Sequence, residues 1–462
     1  MPLLNTGAST FPQQNINQNI NMKPIYTFFI LLMIIPAFSD ITAQQEITLQ
    51  EAVSIGLENN YGIRIEKSNV DIARKRNNWQ YAGAYPSLSF GLGFNNSLNQ
   101  RNDKYLETAQ VQPSLRMNWV LFNGFSVRIN KSRFALLESL SEGNSVLVIE
   151  NTIQAIILSY YKIVLEKERL KVMKEVMDLS KDRYDYVKNR KDLGAGTTYQ
   201  VLQAKNDWLT DKSNFLNQQM IYRSAMRELG YLLGQKDKTD FAPADTLAPV
   251  ADSYKLSVLK DKMEANNRTL KNQYLNMELL DRNIALQKSA RYPSLSFSGG
   301  SNYNYYPDKM NDGSASGFFI SDAFAFYANF ALSFNIYNGN KVHTNIKIAE
   351  LEKEIGDIRL EDMKHQLNNR LLNMYDLFEV RKELASVAHE NLITSKLNLE
   401  ISTDKYKNGV INSFNFRDVQ RTYLTTAMYE LTALYQLIAS HIDLVRLTGG
   451  IITEYENGQN NR

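Results

Sequence analysis

Several stretches of this sequence alternate apolar and polar residues with a period of two, and between them lie long charged stretches whose apolar residues recur at helical spacing. Leu88, Phe90, Leu92 and Phe94 share one side of an extended chain, while Ser87, Ser89, Gly91 and Gly93 share the other. Leu115, Met117, Trp119 and Leu121 are set against Ser114, Arg116, Asn118 and Val120 in the same way. Later, Phe324, Phe326, Ala328, Phe330, Leu332, Phe334 and Ile336 make one face, and Tyr327, Asn329, Ser333 and Asn335 dominate the other. A large apolar face opposite small and polar residues fits a barrel strand with lipid outside and water inside. A half-buried strand of a soluble sandwich has the same alternation. Strand length favours the barrel, because about 10 to 14 residues at ~3.3 Å each reach roughly 35 to 45 Å, enough to cross a bilayer when tilted. The polar stretches Asn95 to Thr108 and Ser301 to Asp322 are expected to be outside loops.

The helical spacing covers Thr48 to Ala82 and Tyr254 to Ala290, stopped by Pro86 and Pro293. It also covers Ser126 to about Asn189 and Asn340 to about Lys407, where the only interior glycines are Gly143 and Gly356. At 1.5 Å per residue each of the latter spans about 100 Å, too long for one globular core. A glycine-bearing turn and a returning helix follow each, which predicts two αα-hairpins of coiled-coil character.

The chain is also written twice. Tyr85-Pro86-Ser87-Leu88-Ser89-Phe90 recurs letter for letter as Tyr292-Pro293-Ser294-Leu295-Ser296-Phe297, and Asn59-Asn60 recurs as Asn266-Asn267. Leu121-Phe122-Asn123-Gly124 is echoed by Ile336-Tyr337-Asn338-Gly339, and Gly194, Thr197 and Tyr199 by Gly409, Asn412 and Phe414. The second set is offset by eight residues more than the first, so the extra residues are expected in a loop between Phe297 and Ile336. The expected organisation is residues 1–43 as an upstream extension plus signal peptide, 44–240 as a first repeat, 241–253 as a linker, 254–450 as a second repeat and 451–462 as a tail. Each repeat supplies two strands. Four strands cannot close a barrel in lipid, where the smallest transmembrane barrels use eight and open edges leave backbone groups unpaired, so copies of the chain must pool their strands.

Composition narrows the classes further. The 52 basic and 49 acidic side chains leave a net charge of +3, spread along the chain, which gives no reason to expect nucleic acid as a partner. With no cysteine, the 462 residues can hold no disulfide, thiolate metal site, cysteine nucleophile or lipid-anchored cysteine. Lys23 and the apolar run Ile25 to Ala37, followed by Ile41-Thr42-Ala43, read as a signal peptide with its true start at Met22 and the mature chain near Gln44. That run is too short for a spanning helix, and no later segment is expected to do better. The four histidines (His343, His365, His389, His441) are isolated, and there is no nucleophile elbow or phosphate loop, so neither an enzyme, a cofactor nor a metal site is expected.

Leu49-Gln50-Glu51-Ala52-Val53 with Glu58-Asn59-Asn60, the two Tyr-Pro-Ser-Leu-Ser-Phe strand starts, the Phe-Asn-Gly and Tyr-Asn-Gly strand exits and the Gly-x-x-Thr and Gly-x-x-Asn hairpin tips occur in a fixed order over essentially the whole mature chain. In that order they resemble the TolC family of outer-membrane efflux and secretion channels. The resemblance implies a mixed membrane protein: a homotrimer whose 12 strands form one transmembrane β-barrel in the outer membrane of a Gram-negative bacterium, continued by a long α-helical coiled-coil tunnel through the periplasm. It further implies contact with outer-membrane lipid, and opening by a periplasmic membrane-fusion adaptor and an inner-membrane pump of RND, ABC or MFS type. It carries over a pore constriction at Asn415 and Asp418, of which only Asp418 is acidic, and a closing network at Tyr406, although Ile411 stands where an arginine partner is usual. The tips Gly194 and Thr197, and Gly409 and Asn412, are the implied adaptor-docking points; plain turn chemistry explains the same glycines. Asn415, Asp418, Thr422, Thr425, Thr432, Gln436 and Asp443 fall on one helix face opposite Phe416, Val419, Tyr423 and Leu431. That polar stripe fits a water-filled lumen or bulk solvent. The competing reading is a structural periplasmic coiled-coil protein without a pore, which leaves the Phe-rich alternating strands unexplained.

Overall fold

The computed structural model describes residues 45–101, 104–235, 241–250, 253–311 and 316–453, so the expected extension and signal peptide, and the tail beyond residue 453, lie outside the described residues. The elements run β1 (Gln45–Ile47), α1 (Leu49–Asn59), α2 (Tyr61–Arg76), β2 (Ser87–Arg101), β3 (Lys104–Asn123), α3 (Ser126–Asp192), α4 (Thr198–Leu232), β4 (Phe241–Pro243), α5 (Leu256–Asn266), α6 (Arg268–Ser289), β5 (Ser294–Asn311), β6 (Ser316–Ser333), α7 (Lys341–Lys407) and α8 (Ser413–Leu447).

The duplicated Asn pair is a joint. The expected continuous helix from Thr48 to Ala82 breaks at Asn60, whose side-chain oxygen accepts from the Gly62 and Ile63 amides while its Nδ2 donates to the Leu232 carbonyl at 2.8 Å. Asn267 does the same between α5 and α6, accepting from the Leu270 amide and donating to the Leu447 carbonyl at 2.9 Å. A side chain that caps one helix and closes the end of another outweighs helix continuity, because both satisfy orphan backbone groups. Gly234 and Gly449, at φ +69° and +74°, end α4 and α8 against the same joints; a Cβ on either would lie 2.6 or 2.7 Å from the Asn59 or Asn266 carbonyl oxygen.

The four long strands form one antiparallel sheet in the order β2-β3-β5-β6. Its register gathers the alternating residues on one face: Phe90 lies opposite Leu115, Trp119 opposite Phe297 and Phe297 opposite Phe330. A bulge between Val120 and Phe122 takes Leu121 out of the alternation and sets Phe122 opposite Leu295 instead. Two expectations change here. The polar stretches read as loops continue the ladders, to Arg101 and Lys104 in one hairpin and to Asn311 and Ser316 in the other. Strand pairing is a backbone matter and does not stop where the apolar band does. The second hairpin accordingly has three more rungs than the first, so most of the eight extra residues are strand rather than loop. Phe334 and Ile336 fall beyond the end of β6.

A second, two-stranded sheet joins β1 to β4, which lies at the start of the expected linker. Beside it, the Tyr160 hydroxyl donates to Asp245 at 2.7 Å and lies 2.9 Å from the Ile47 carbonyl oxygen, and burial pushes its pKa above the usual tyrosine range. The core around it combines Val53 of α1, Ile153, Ile156 and Ile163 of α3, Leu229 of α4 and Ile442 of α8. Among the described residues, one helix, α3, is by length and composition apolar enough to cross a membrane, contrary to the expectation that no later segment would be. Its isoleucines are instead spent on this core. The long helices α3 and α7 have 67 residues each, and α3 packs between α4 and α8.

Candidate functional site

The two hairpin tips are built alike. Past α3, Gly194 sits at φ +80° and the Ala195 amide donates to the Arg190 carbonyl at 2.8 Å; past α7, Gly409 sits at φ +73° and the Val410 amide donates to the Lys405 carbonyl at 2.8 Å. Each pattern closes the helix end with a left-handed residue that glycine adopts without cost. The returning helices are capped by Thr197, which forms a capping box with Gln200, and by Asn412, whose side chain accepts from the Phe414 and Asn415 amides. All four predicted tip residues therefore have a turn or capping role. The tips are also neighbours, with the Tyr199 and Phe414 rings 6.4 Å apart, and they expose Leu193, Val410, Tyr199 and Phe414 to water.

The first turns of α8 divide sharply between water and protein. Asn415 and Asp418 are exposed, and Asp418 lines a small cleft with Gln203, Asp207 and Arg421. The polar stripe that includes them stays exposed through Thr425 and again at Gln436, but Thr432 accepts a bond from Arg169 at 2.7 Å and Asp443 is half-buried and bonded by Gln154. Tyr406 is buried. Its ring stacks on Phe416 at 4.7 Å and meets Tyr186 of α3 edge-on at 5.4 Å, so it binds the second hairpin to the first inside one chain. Burial raises its pKa, partly offset by a hydrogen bond to Ser413. Farther along, burial lifts the Tyr423 hydroxyl to about 12, and it donates to Glu175 at 3.1 Å.

Behind Asp418 lies an ionic cluster that the sequence did not single out. Arg417 of α8 makes a bidentate pair with Asp211 of α4 at 2.6 and 2.8 Å and donates to Ser180 of α3 at 3.1 Å. Arg183 of α3 pairs with Asp207 of α4 and donates to the Ser413 carbonyl at 3.2 Å. All five side chains are buried; the Arg417–Asp211 pair is a charge-assisted link between the hairpins, and the Arg183–Asp207 pair ties α3 to α4 within the first. Their spacing, Ser180 to Arg183 and Asp207 to Asp211, puts each pair on one helix face, but a solvated face of a charged helix has the same spacing. The histidines are structural where they are paired: His441 stacks on Tyr254, and His389 meets Glu430 at 2.7 Å.

The family model described as "Outer membrane efflux protein" matches residues 52–235 and 259–450. Among solved structures, a membrane protein from Pseudomonas aeruginosa superposes with a TM-score of 0.71 at 15% identity, covering 87% of this chain and 92% of that one. The Campylobacter jejuni CmeC outer membrane channel gives 0.70 at 13%, covering 87% and 85%. The open state of the Neisseria gonorrhoeae MtrE outer membrane channel gives 0.64 at 17%, covering 87% and 89%. A search of curated proteins gave no match.

Proposed function

The chain belongs to the outer membrane efflux protein family and is an outer-membrane efflux duct, and from that premise we propose how its residues form, close and dock the duct. Three copies close a 12-stranded barrel, each adding β2, β3, β5 and β6, and the hairpins of the six long helices continue it as a periplasmic tunnel. The single observation that carries this reading is the sheet itself: its apolar face leaves Phe90, Phe326 and Leu332 at 73%, 78% and 71% exposure, and its edge strands β2 and β6 have no partner among the described residues. Such a face needs lipid, and such edges need further strands. The division into repeats 44–240 and 254–450 joined by 241–253 belongs to the same reading, supported by the two Asn joints.

In the closed state, Asp418 of three copies rings the tunnel near its periplasmic end with Asn415 one turn nearer the tip, and Tyr406 holds the second hairpin in place behind them. Rings of carboxylates attract cations and raise the barrier to anions. The tips, with Gly194 and Thr197 beside Gly409 and Asn412, dock a membrane-fusion adaptor through their exposed Leu193 and Val410. An inner-membrane pump of RND, ABC or MFS type supplies the driving force, since the duct itself is passive. The test is planar-bilayer conductance in a potassium chloride gradient. Wild type is expected to give small cation-selective steps that grow and lose selectivity in Asp418→Ala. Steps unaltered by the substitution would remove Asp418 from the gate, and no steps from a folded trimer would remove the duct.

A further inference from the structure

Among the described side chains, the face of the sheet opposite the apolar band is almost free of charge. Strand register aligns Ser89, Arg116, Gly300 and Tyr327 in one row across β2, β3, β5 and β6. The rows on either side, Ser87 to Asn329 and Gly91 to Ala325, contain only Ser, Asn, Gly and Ala. Among the described side chains of that face, Arg116 is the one charged at neutral pH. It is exposed, and its cross-strand neighbours are a serine and a glycine.

We propose that Arg116 forms a basic belt in the barrel lumen that selects for anionic solutes on their way out. The proposal rests on the trimeric duct reading, which turns the polar face inward and repeats Arg116 three times at one level. An arginine on the lipid face is strongly disfavoured near mid-bilayer, whereas on the lumen face it stays hydrated and tunes selectivity. Three guanidiniums flanked by neutral rows create a positive potential with no carboxylate among the described side chains of that face to cancel it, the arrangement by which anion-conducting pores choose their ions. The belt is opposite in sign to Asp418. Cargo that satisfies both is a molecule with a separate cationic and anionic group, or an anion that passes once the tip has opened.

The fixed charges act over a Debye length, about 30 Å at 10 mM salt and about 3 Å at 1 M. Reversal potentials for wild type, Arg116→Gln and Arg116→Glu are therefore compared in dilute and concentrated potassium chloride gradients. In dilute salt, the potassium-to-chloride permeability ratio is expected to rise roughly twofold in the Gln variant and further in the Glu variant, and the differences are expected to shrink at 1 M. Equal ratios in all three proteins would overturn the belt and leave the duct intact. A wild type without conductance would overturn the duct and the belt together. Because the chain has no cysteine, a second readout is clean. Arg116→Cys in whole cells is expected to react with a membrane-impermeant maleimide, while Phe90→Cys on the lipid face resists it; an unreactive Arg116→Cys in a conducting channel would place the side chain away from the lumen and overturn the belt.

Discussion

Arg417 lies between Asp211, which takes both of its terminal nitrogens, and Ser180, with the side chains of all three buried. Replacing a whole buried ion pair with apolar residues is often neutral, but removing one partner strands the other charge in a poor solvent. Arg417→Met is therefore expected to destabilise the chain by about 3 to 5 kcal/mol, and Arg417→Met with Asp211→Leu to recover much of that loss. Thermal unfolding of the detergent-solubilised protein measures both. A single variant that melts with wild type would mean that water reaches the cluster. The cluster was not legible in the sequence for a plain reason. Ser180, Arg183, Asp207 and Asp211 lie in helices so rich in charge that a buried ionic face and a solvated one are written with the same letters. The neighbouring Asp418 and Asn415 were singled out through the family resemblance, which fixes their steps from the Gly409 tip, and both are exposed.

At the scale of elements, what repeats outside the two strand starts is largely helix-end chemistry. Gly194 and Gly409 close helices, and Thr197 and Asn412 open them, so the tips could be found from spacing alone. The Asn60 and Asn267 joints were visible as a repeat but not as breaks, because their acceptors, the carbonyls of Leu232 and Leu447, lie far along the chain. The strand ends were missed for the converse reason: polar residues signal a loop, whereas β2 to β3 and β5 to β6 pair backbone to backbone past the apolar band. Losing an N-cap costs a helix about 1 kcal/mol. Asn412→Ala is thus expected to speed amide exchange several-fold in the first turn of α8, with Asn412→Asp close to wild type and the sheet unaffected in both. Exchange unaltered in the Ala variant would mean that packing of Phe414 and Phe416, not the cap, holds the tip.

At the scale of the whole molecule, the two open edges of the sheet decide what the chain can be on its own. Each edge presents a row of unpaired amides and carbonyls, a condition lipid does not tolerate and that neither edge relieves with proline or a covering helix among the described residues. In the duct proposed above, the edge of β2 on one copy pairs with β6 on the next, and the third copy meets the first. The apolar band makes the two faces of the sheet legible in the sequence, since alternation fixes the face, and the strand count forbids a one-chain barrel. It could not give the order β2-β3-β5-β6, which brings two hairpins of the duplicated chain side by side. In this cysteine-free chain, a cysteine at Gly91 on β2 combined in turn with one at Ala325, Tyr327 or Asn329 on β6 tests the closure. Oxidation of outer membranes is expected to yield a covalent trimer on denaturing gels for at least one combination, set by the inter-chain register, and only monomers for either cysteine alone. Dimers without trimers would mean an open arrangement of edges, and monomers throughout would separate β2 from β6 and require the barrel to close by other means.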